Sequence, residues 1–139
     1  MDVIPKSRSI VARRWTKVSL MCNLNDHVAS LSWYVTHFSS CETKKISTGD
    51  HLYINKSTNL DGNILNKFAK YSVTMYRPRP DEFGGGDGVY VLEINFVDFD
   101  DAGEYICRES ADNVNDPDSV SIKLTVVNCT MREGKYYHN

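Results

Sequence analysis

The sequence contains no long apolar segment. It has no run of about 18 apolar residues, the length that an α-helix needs to cross a membrane. The N-terminal stretch MDVIPKSRSIVARRW also lacks the apolar core of a signal peptide. If the protein is extracellular, we therefore expect a mature domain whose signal sequence and any membrane anchor lie outside this chain.

An excess of positive charge is also absent. Lys and Arg together number 16 and Asp and Glu 18, which gives a formal net charge of -2. Proteins that bind nucleic acids or anionic membrane surfaces by general electrostatic attraction usually carry a positive excess. We therefore expect neither nucleic acid nor a lipid surface as a partner.

Catalytic and metal-binding motifs are missing as well. The four histidines, at positions 27, 37, 51 and 138, have no neighbours at metal-ligand spacing, and no serine or cysteine stands in a nucleophile elbow. The GGGDG segment at 84–88 lacks the Gly-Lys-Ser/Thr of a phosphate loop, which favours a flexible hairpin. The acidic segment at 112–118 matches no calcium loop and favours a solvated loop. We predict no catalysis, no cofactor and no metal.

The cysteines indicate an oxidising environment. The sequence contains four, which are widely spaced: Cys22, Cys41, Cys107 and Cys129. An even number at wide spacing fits two disulfides better than a zinc site. Disulfides persist outside the cytosol, and the sequons at Asn55 and Asn128 are acceptors for N-glycosylation in secreted proteins. The residues thus predict an extracellular glycoprotein, either secreted or part of a cell-surface protein.

Apolar and polar residues alternate with a period of two. In SVSIKLTV at 119–126, every second residue is apolar, and the same pattern occurs in TKVSLMCNL, YSVTMY and YVLEINF. Turn-rich stretches separate these segments, and no segment has the 3.6-residue period of an amphipathic helix. Many short alternating strands predict an all-β fold, an antiparallel β-sandwich.

A further motif points to one family of sandwiches. Cys22, Trp33 and Cys107 follow one another along the chain, and Tyr105 stands two positions before the last of them. The stretch DAGEYIC at 101–107 is similar to the DxGxYxC motif of the immunoglobulin superfamily. The chain resembles that family, and the wide separation of the two core cysteines resembles its variable-type domains, the V-set.

The resemblance implies a set of structural contacts. The two core cysteines would form a disulfide between the sheets, with Trp33 packed against it. Tyr105 would donate a hydrogen bond to the backbone upstream, and Gly103 would permit a tight turn into its strand. Asp101 would pair with Lys70, where the family usually has an arginine. The last strand, at 119–127, lacks the Phe-Gly-x-Gly bulge of rearranged antigen receptors, which argues against an antibody or T-cell-receptor domain. The connection RPRPDEFGGGDG at 77–88 is longer than the family usually has.

The same resemblance sets the strand order. It implies the sheets A'GFCC'C'' and ABED within a domain at 1–127, followed by a hinge at 128–139 toward another domain or an anchor. The expected strands are A and A' at 3–12, B at 16–24, C at 31–36, C' at 44–48, C'' at 52–54, D at 70–76, E at 89–96, F at 103–108 and G at 119–127.

The remaining cysteines would lie close together in this topology. Strands C and G belong to one sheet and run toward the end where Cys41 and Cys129 lie. A disulfide between these two cysteines is therefore expected, and it would add about 2–4 kcal/mol of stability. The alternative is that Cys129 bonds elsewhere or to another chain. A bond at Cys129 would also hinder glycosylation of Asn128.

Function is expected on the outer face of the A'GFCC'C'' sheet, which is the usual docking surface of V-set domains. Alternation directs seven residues outward: Tyr34, Thr36, Glu104, Ile106, Arg108, Ser121 and Lys123. Outward tyrosine, isoleucine and arginine side chains are enriched at the centres of protein interfaces. The alternative is that these are ordinary, scattered surface residues.

The resemblance implies a recognition domain that binds another protein, either a second copy of itself as a homodimer or a different cell-surface protein. One alternative is glycan binding, because Arg108 stands where sialic-acid-binding lectins of the superfamily carry their arginine. Those lectins move the core disulfide off strand F, whereas Cys107 is kept here. A structural spacer in a longer ectodomain is the other alternative.

Overall fold

The protein folds almost entirely into β-strands. The structure, a computed structural model, describes residues 7–23, 31–54, 57–59, 67–76, 88–109, 119–132 and 135–138. The helical part of these ranges is one short 3-10 turn, Phe99–Asp101. None of these ranges contains a helix that is long and apolar enough to cross a membrane.

The larger sheet has six strands. They are β1 (Ser7–Arg13), β3 (Leu31–His37), β4 (Thr43–Thr48), β5 (His51–Leu52), β10 (Gly103–Glu109) and β11 (Ser119–Val127). Their spatial order is β1-β11-β10-β3-β4-β5, with β1 parallel to β11 and the other neighbours antiparallel.

The second sheet and two separate hairpins complete the fold. The sheet is antiparallel, in the order β2-β9-β8, and consists of β2 (Val18–Cys22), β8 (Tyr71–Tyr76) and β9 (Val89–Ile94). One hairpin joins β6 (Ser57–Asn59) to β7 (Lys67–Ala69), and the other joins β12 (Cys129–Arg132) to β13 (Lys135–His138).

The predicted all-β sandwich is confirmed, and the larger sheet has the expected strand order. Three details differ. The N-terminal strand β1 pairs with β11 in parallel, so the described part of the second sheet has three strands instead of the expected four. Residues 3–6 of the predicted A strand lie outside the described ranges. The β6–β7 hairpin was not predicted. The tail at 128–139, predicted as a hinge, contains the β12–β13 hairpin.

The core lies between the two sheets and contains the disulfide. Cys22 on β2 and Cys107 on β10 are bonded, with their Cα atoms 6.2 Å apart. Trp33 is the cross-strand partner of Cys107 and is completely buried, and its ring centroid lies 6.2 Å from that of Tyr90 on β9. The disulfide thus joins β2 of the second sheet to β10 of the larger sheet beside the buried Trp33, as the sequence motif implies.

A buried polar network closes the sandwich where the chain enters β10. The Tyr105 hydroxyl donates to the carbonyl of Asp101 at 2.6 Å. The Asp101 carboxylate pairs with Lys70 Nζ at 2.5 Å, and both side chains are almost fully buried. Lys70 Nζ also donates to the carbonyl of Phe96 at 3.1 Å, so one ammonium group holds two segments of the E–F connection. Burial raises the pKa of the Tyr105 phenol, which keeps its hydroxyl protonated as a donor.

Gly103 is required by close packing rather than by a turn. A Cβ atom at this position would lie 2.5 Å from the carbonyl oxygen of Thr36 on β3. The positive-φ glycine of the described ranges is Gly49, with φ 55°, so the expectation that Gly103 serves a tight turn is corrected. Gly103 instead lets the first residue of β10 approach the backbone of β3.

We predict that Gly103→Ala destabilises the fold by about 1–3 kcal/mol, because the added methyl group meets a backbone atom that cannot rotate away. Chemical denaturation measures the effect. Thr36→Ala in the same protein is the control: the contacted atom is the main-chain carbonyl, so trimming the Thr36 side chain should not relieve the loss. Recovery of stability in the double variant would contradict this explanation.

We predict that Lys70→Met destabilises the protein by about 3–5 kcal/mol, because it leaves the Asp101 carboxylate buried without a counter-charge. Lys70→Arg keeps the charge and should lose much less. Adding Asp101→Asn to Lys70→Met removes the unpaired charge and should restore part of the stability. Urea unfolding of the three variants tests this, and a loss below about 1 kcal/mol for Lys70→Met would disprove it.

Candidate functional site

The outer face of the larger sheet collects the predicted binding residues. Tyr34 on β3 lies opposite Ile106 on β10, and Glu104 lies between Thr36 and Lys123 on the neighbouring strands. The alternate residues of the same strands, including Trp33, are buried in the core. All five predicted binding residues therefore lie on one face: Tyr34, Thr36, Ile106, Arg108 and Lys123.

Two cations lie over tyrosine rings at the centre of this face. The guanidinium carbon of Arg108 is 4.6 Å from the ring centroid of Tyr34. From the other side, Lys45 Nζ lies 5.9 Å from the Tyr34 centroid and 5.2 Å from that of Tyr53. We call these four residues the Tyr34 cluster. Cation–π contacts of this kind contribute about 0.5–1 kcal/mol each at exposed sites and hold the side chains in place.

Lys45 and Tyr53 were not identified in the sequence. The pairing of β3 with β4 shifts register between Trp33 and Tyr34, and Ile46 and Ser47 are both buried. Simple alternation therefore fails along β4, and no local pattern distinguishes the outward Lys45 from its neighbour Lys44. The sequence shows the two adjacent lysines, Lys44 and Lys45, but it does not show which of them faces outward.

Hydroxyl groups and an imidazole fix the edge of the cluster. The Tyr53 hydroxyl donates to Thr48 Oγ1 at 3.2 Å, and Thr48 Oγ1 is also 2.7 Å from Ser32 Oγ. The ring of His51 packs edge-on against Tyr53, with centroids 4.7 Å apart. These contacts orient the Tyr53 ring beneath Lys45.

Tyr90 supports the same edge from inside the sandwich. Its hydroxyl donates to the carbonyl of Gly49 at 2.5 Å and lies 2.7 Å from Ser47 Oγ. Burial is the main cause that raises the pKa of Tyr90 to about 12, so the phenol stays a donor at neutral pH. The middle strand of the second sheet thus holds the β4–β5 turn that precedes His51 and Tyr53.

The charges on this face are unevenly matched. Glu104 lies directly opposite Lys123, so these two charges offset one another. Thr36 and Thr43 share a neutral hydrogen bond of 2.7 Å between their hydroxyls. Within the described ranges, no ion pair involves Arg108 or Lys45, whose contacts are with the tyrosine rings. The centre of the face is therefore positive.

The expected second disulfide is corrected. Cys41 carries a free, exposed thiol and has a positive φ of 57°, in a turn where its sulfur lies 3.8 Å from the carbonyl of Phe38. The side chain of Cys129 lies outside the described part. Of the two sequons, Asn128 is exposed directly after β11, whereas Asn55 lies outside the described residues.

Several other sequence features can be placed only in part. His27, residues 84–87 of the GGGDG segment and the acidic segment at 112–118 lie outside the described residues. His37 packs edge-on against Tyr105, with centroids 6.4 Å apart. Among the described residues, no group of three His, Cys, Asp or Glu side chains could hold a metal ion.

A second surface cluster, around Arg14, was missed by the sequence analysis. Arg14 Nε donates to Asp98 Oδ1 at 2.8 Å, and its guanidinium carbon lies 4.4 Å from the centroid of Trp15 and 4.9 Å from that of Phe99. Both rings are about half exposed, at 49% and 48%. Arg14 and Asp98 are 84 positions apart, so only the fold brings them together.

The Arg14 contact changes the titration of Asp98. Burial acts to raise the pKa of this carboxyl, but the hydrogen bonds from Arg14 and the backbone N–H of Phe99 outweigh it. The nearby positive charges act in the same direction, and the pKa lies below its ordinary value. Asp98 is also the N-cap of the 3-10 turn. Its carboxylate therefore connects Arg14 to the turn that precedes β10.

No family model matches the chain, and no curated protein matches it. An all-β fold of two sheets with a disulfide between them is compatible with an immunoglobulin-like domain. The functional conclusion therefore depends on the fold and on the placement of side chains.

We predict that Arg14→Ala lowers the free energy of unfolding by about 1–2 kcal/mol at pH 7, through loss of the ion pair and the ring contacts. Because the folded pKa of Asp98 is lowered, the ion pair contributes fully above about pH 4, and its contribution is lost as the pH falls through the folded pKa. The deficit should therefore shrink toward about pH 2. Denaturation at several pH values measures it.

Lys17→Ala is the matched control, because Lys17 forms an exposed ion pair with Glu93 on the second sheet. Its cost should stay below about 1 kcal/mol at every pH. An Arg14→Ala deficit that is the same at neutral and acidic pH would show that the Asp98 carboxylate is not its source.

Proposed function

We propose that this protein is an immunoglobulin-like V-set domain that acts outside the cell by binding another protein, without catalysing a reaction. The strand order of the six-stranded sheet, with β1 parallel to β11, supports this assignment, and so does the disulfide between β2 and β10. The disulfide also fits an oxidising compartment. Glycans at Asn55 and Asn128, and an anchor outside this chain, belong to the same proposal.

The observation that carries the proposal is the composition of the outer sheet face. Tyr34 and Ile106 are cross-strand neighbours at its centre, and Arg108 stacks on the Tyr34 ring. Tyrosine and arginine are the residue types that most often dominate binding energy in protein interfaces. The rings and the guanidinium hold one another in place, so less side-chain entropy is lost on binding. A rigid patch of this kind suits recognition in cell adhesion or by an immune-type receptor.

A second candidate is recognition of a sialylated glycan through Arg108. The exposed guanidinium, which has no carboxylate partner within the described ranges, favours it, since an arginine can bind a sugar carboxylate in a bidentate manner. The core disulfide on β10 favours a protein ligand over a glycan, because the lectins of the superfamily have that bond on another strand.

Cell-surface binding of a tagged domain tests the proposal. Tyr34→Ala with Ile106→Asp should weaken binding by about tenfold or more, because both side chains lie at the centre of the proposed interface. The matched control is Tyr76→Ala with Met21→Asp, an exposed aromatic and an exposed aliphatic residue of the second sheet. It should bind as the wild type does.

Thermal unfolding of both double variants confirms that they are folded. Equal binding by the wild type and the Tyr34/Ile106 variant would refute recognition through this face and favour a structural spacer. Binding that is lost only in the control variant would place the interface on the second sheet.

A further inference from the structure

The Tyr34 cluster concentrates unpaired positive charge in a chain with no positive excess. The whole chain has a formal net charge of -2. Arg108 and Lys45 nevertheless approach one aromatic ring from two neighbouring strands, and no described carboxylate forms an ion pair with either. Because neither cation has a carboxylate partner among the described residues, binding of an anionic group beside each of them is favoured.

The positions of the two cations indicate the size of the anionic partner. Arg108 is on β10 and Lys45 on β4, the two strands that flank β3. Strands are spaced about 4.8 Å apart, so the backbones that carry the two cations are about 10 Å apart. A single carboxylate can satisfy one of them, whereas a surface with two or more carboxylates can satisfy both.

The surroundings suit a protein surface. Tyr34 and Ile106 supply apolar area beside the cations, and the paired hydroxyls of Thr36 on β3 and Thr43 on β4 lie two residues along from Tyr34 and Lys45. An apolar centre with flanking charges is the usual composition of a protein interface. Arg108 and Lys45 would then favour a partner protein that has acidic residues at matching positions.

The same charges oppose binding of a second copy through this cluster. In a two-fold symmetric dimer centred on Tyr34, the Arg108 and Lys45 side chains of one copy would face those of the other. Like charges facing each other across an interface oppose association and suppress the wrong partner. The charge pattern therefore favours a different protein over a homodimer.

We infer that the Tyr34 cluster binds an acidic surface of a different protein, with Arg108 and Lys45 each pairing with a carboxylate on either side of the Tyr34 ring. This inference rests on the proposed function of the face as a recognition surface. It adds the chemistry of the partner and distinguishes binding of another protein from self-association.

Fluorescence anisotropy with labelled poly-L-glutamate tests the inference on the full chain. Arg108→Gln with Lys45→Gln should weaken binding about tenfold, which corresponds to two ion pairs of modest strength. The control is Lys17→Gln with Lys44→Gln, which changes the net charge equally at two lysines outside the cluster. Lys17 forms an ion pair with Glu93, and Lys44 is the cross-strand neighbour of the buried Val35. It should bind as the wild type does.

Three results would overturn the inference. The first is equal poly-L-glutamate binding by both double variants, or none by the wild type. The second is binding of 3'-sialyllactose that Arg108→Gln alone abolishes, which would favour the glycan. The third is a wild-type dimer in analytical ultracentrifugation that Tyr34→Ala with Ile106→Asp dissociates, which would show self-association through the face.

Cell-surface binding separates this inference from the proposed function. If Tyr34→Ala with Ile106→Asp abolishes binding while Arg108→Gln with Lys45→Gln leaves it unchanged, the face is a recognition surface but its partner is not acidic. If both variants lose binding and the lysine control keeps it, the inference is supported. If neither loses binding, the proposed function itself fails.

Discussion

The disulfide between Cys22 and Cys107 fixes which side chains of β10 face inward, and both the core and the candidate site depend on this strand. Cys107 points into the sandwich, so its neighbours on β10, Ile106 and Arg108, must point out. A slip of one residue would exchange the two sets and break the bond to β2. The bond that holds the sheets together therefore also sets which side chains the outer face presents, and Tyr34 follows because Trp33 pairs with Cys107.

Several contacts hold this arrangement at both ends of the sandwich. Near the start of β10, the Asp101 network joins the E–F connection to Lys70 and Tyr105, and Gly103 permits close approach to β3. At the far edge of the larger sheet, Tyr90 reaches from the second sheet to the β4–β5 turn. Buried polar groups of this kind add little net stability compared with apolar packing, but they stabilise one register over its alternatives. The outer face depends on this register, because the register brings Arg108 and Lys45 to the Tyr34 ring.

The sequence predicts best where the chain is regular. The alternation along β3, β10 and β11 places Tyr34, Ile106 and Arg108 on one face, because these strands pair without interruption of their own two-residue period. It fails on β4, where a register shift opposite Tyr34 buries two successive residues and hides the role of Lys45. Contacts between distant segments, such as Arg14 with Asp98, leave no local pattern at all. Cys41 shows a further limit: a turn with positive φ leaves its thiol exposed, and cysteine count alone cannot reveal that geometry.

Net charge and local charge lead to different conclusions here because they act over different distances. A formal charge of -2 spread over 139 residues gives no general attraction to polyanions, and that argument stands at long range. At physiological ionic strength, however, the Debye length is about 8 Å, so interactions between exposed charges that are further apart are largely screened. Near the Tyr34 ring the described cations are Arg108 and Lys45, while Glu104 and Lys123 lie opposite each other further along the same face. The positive centre of the face would therefore act at short range, where it favours a partner with an acidic surface over other partners.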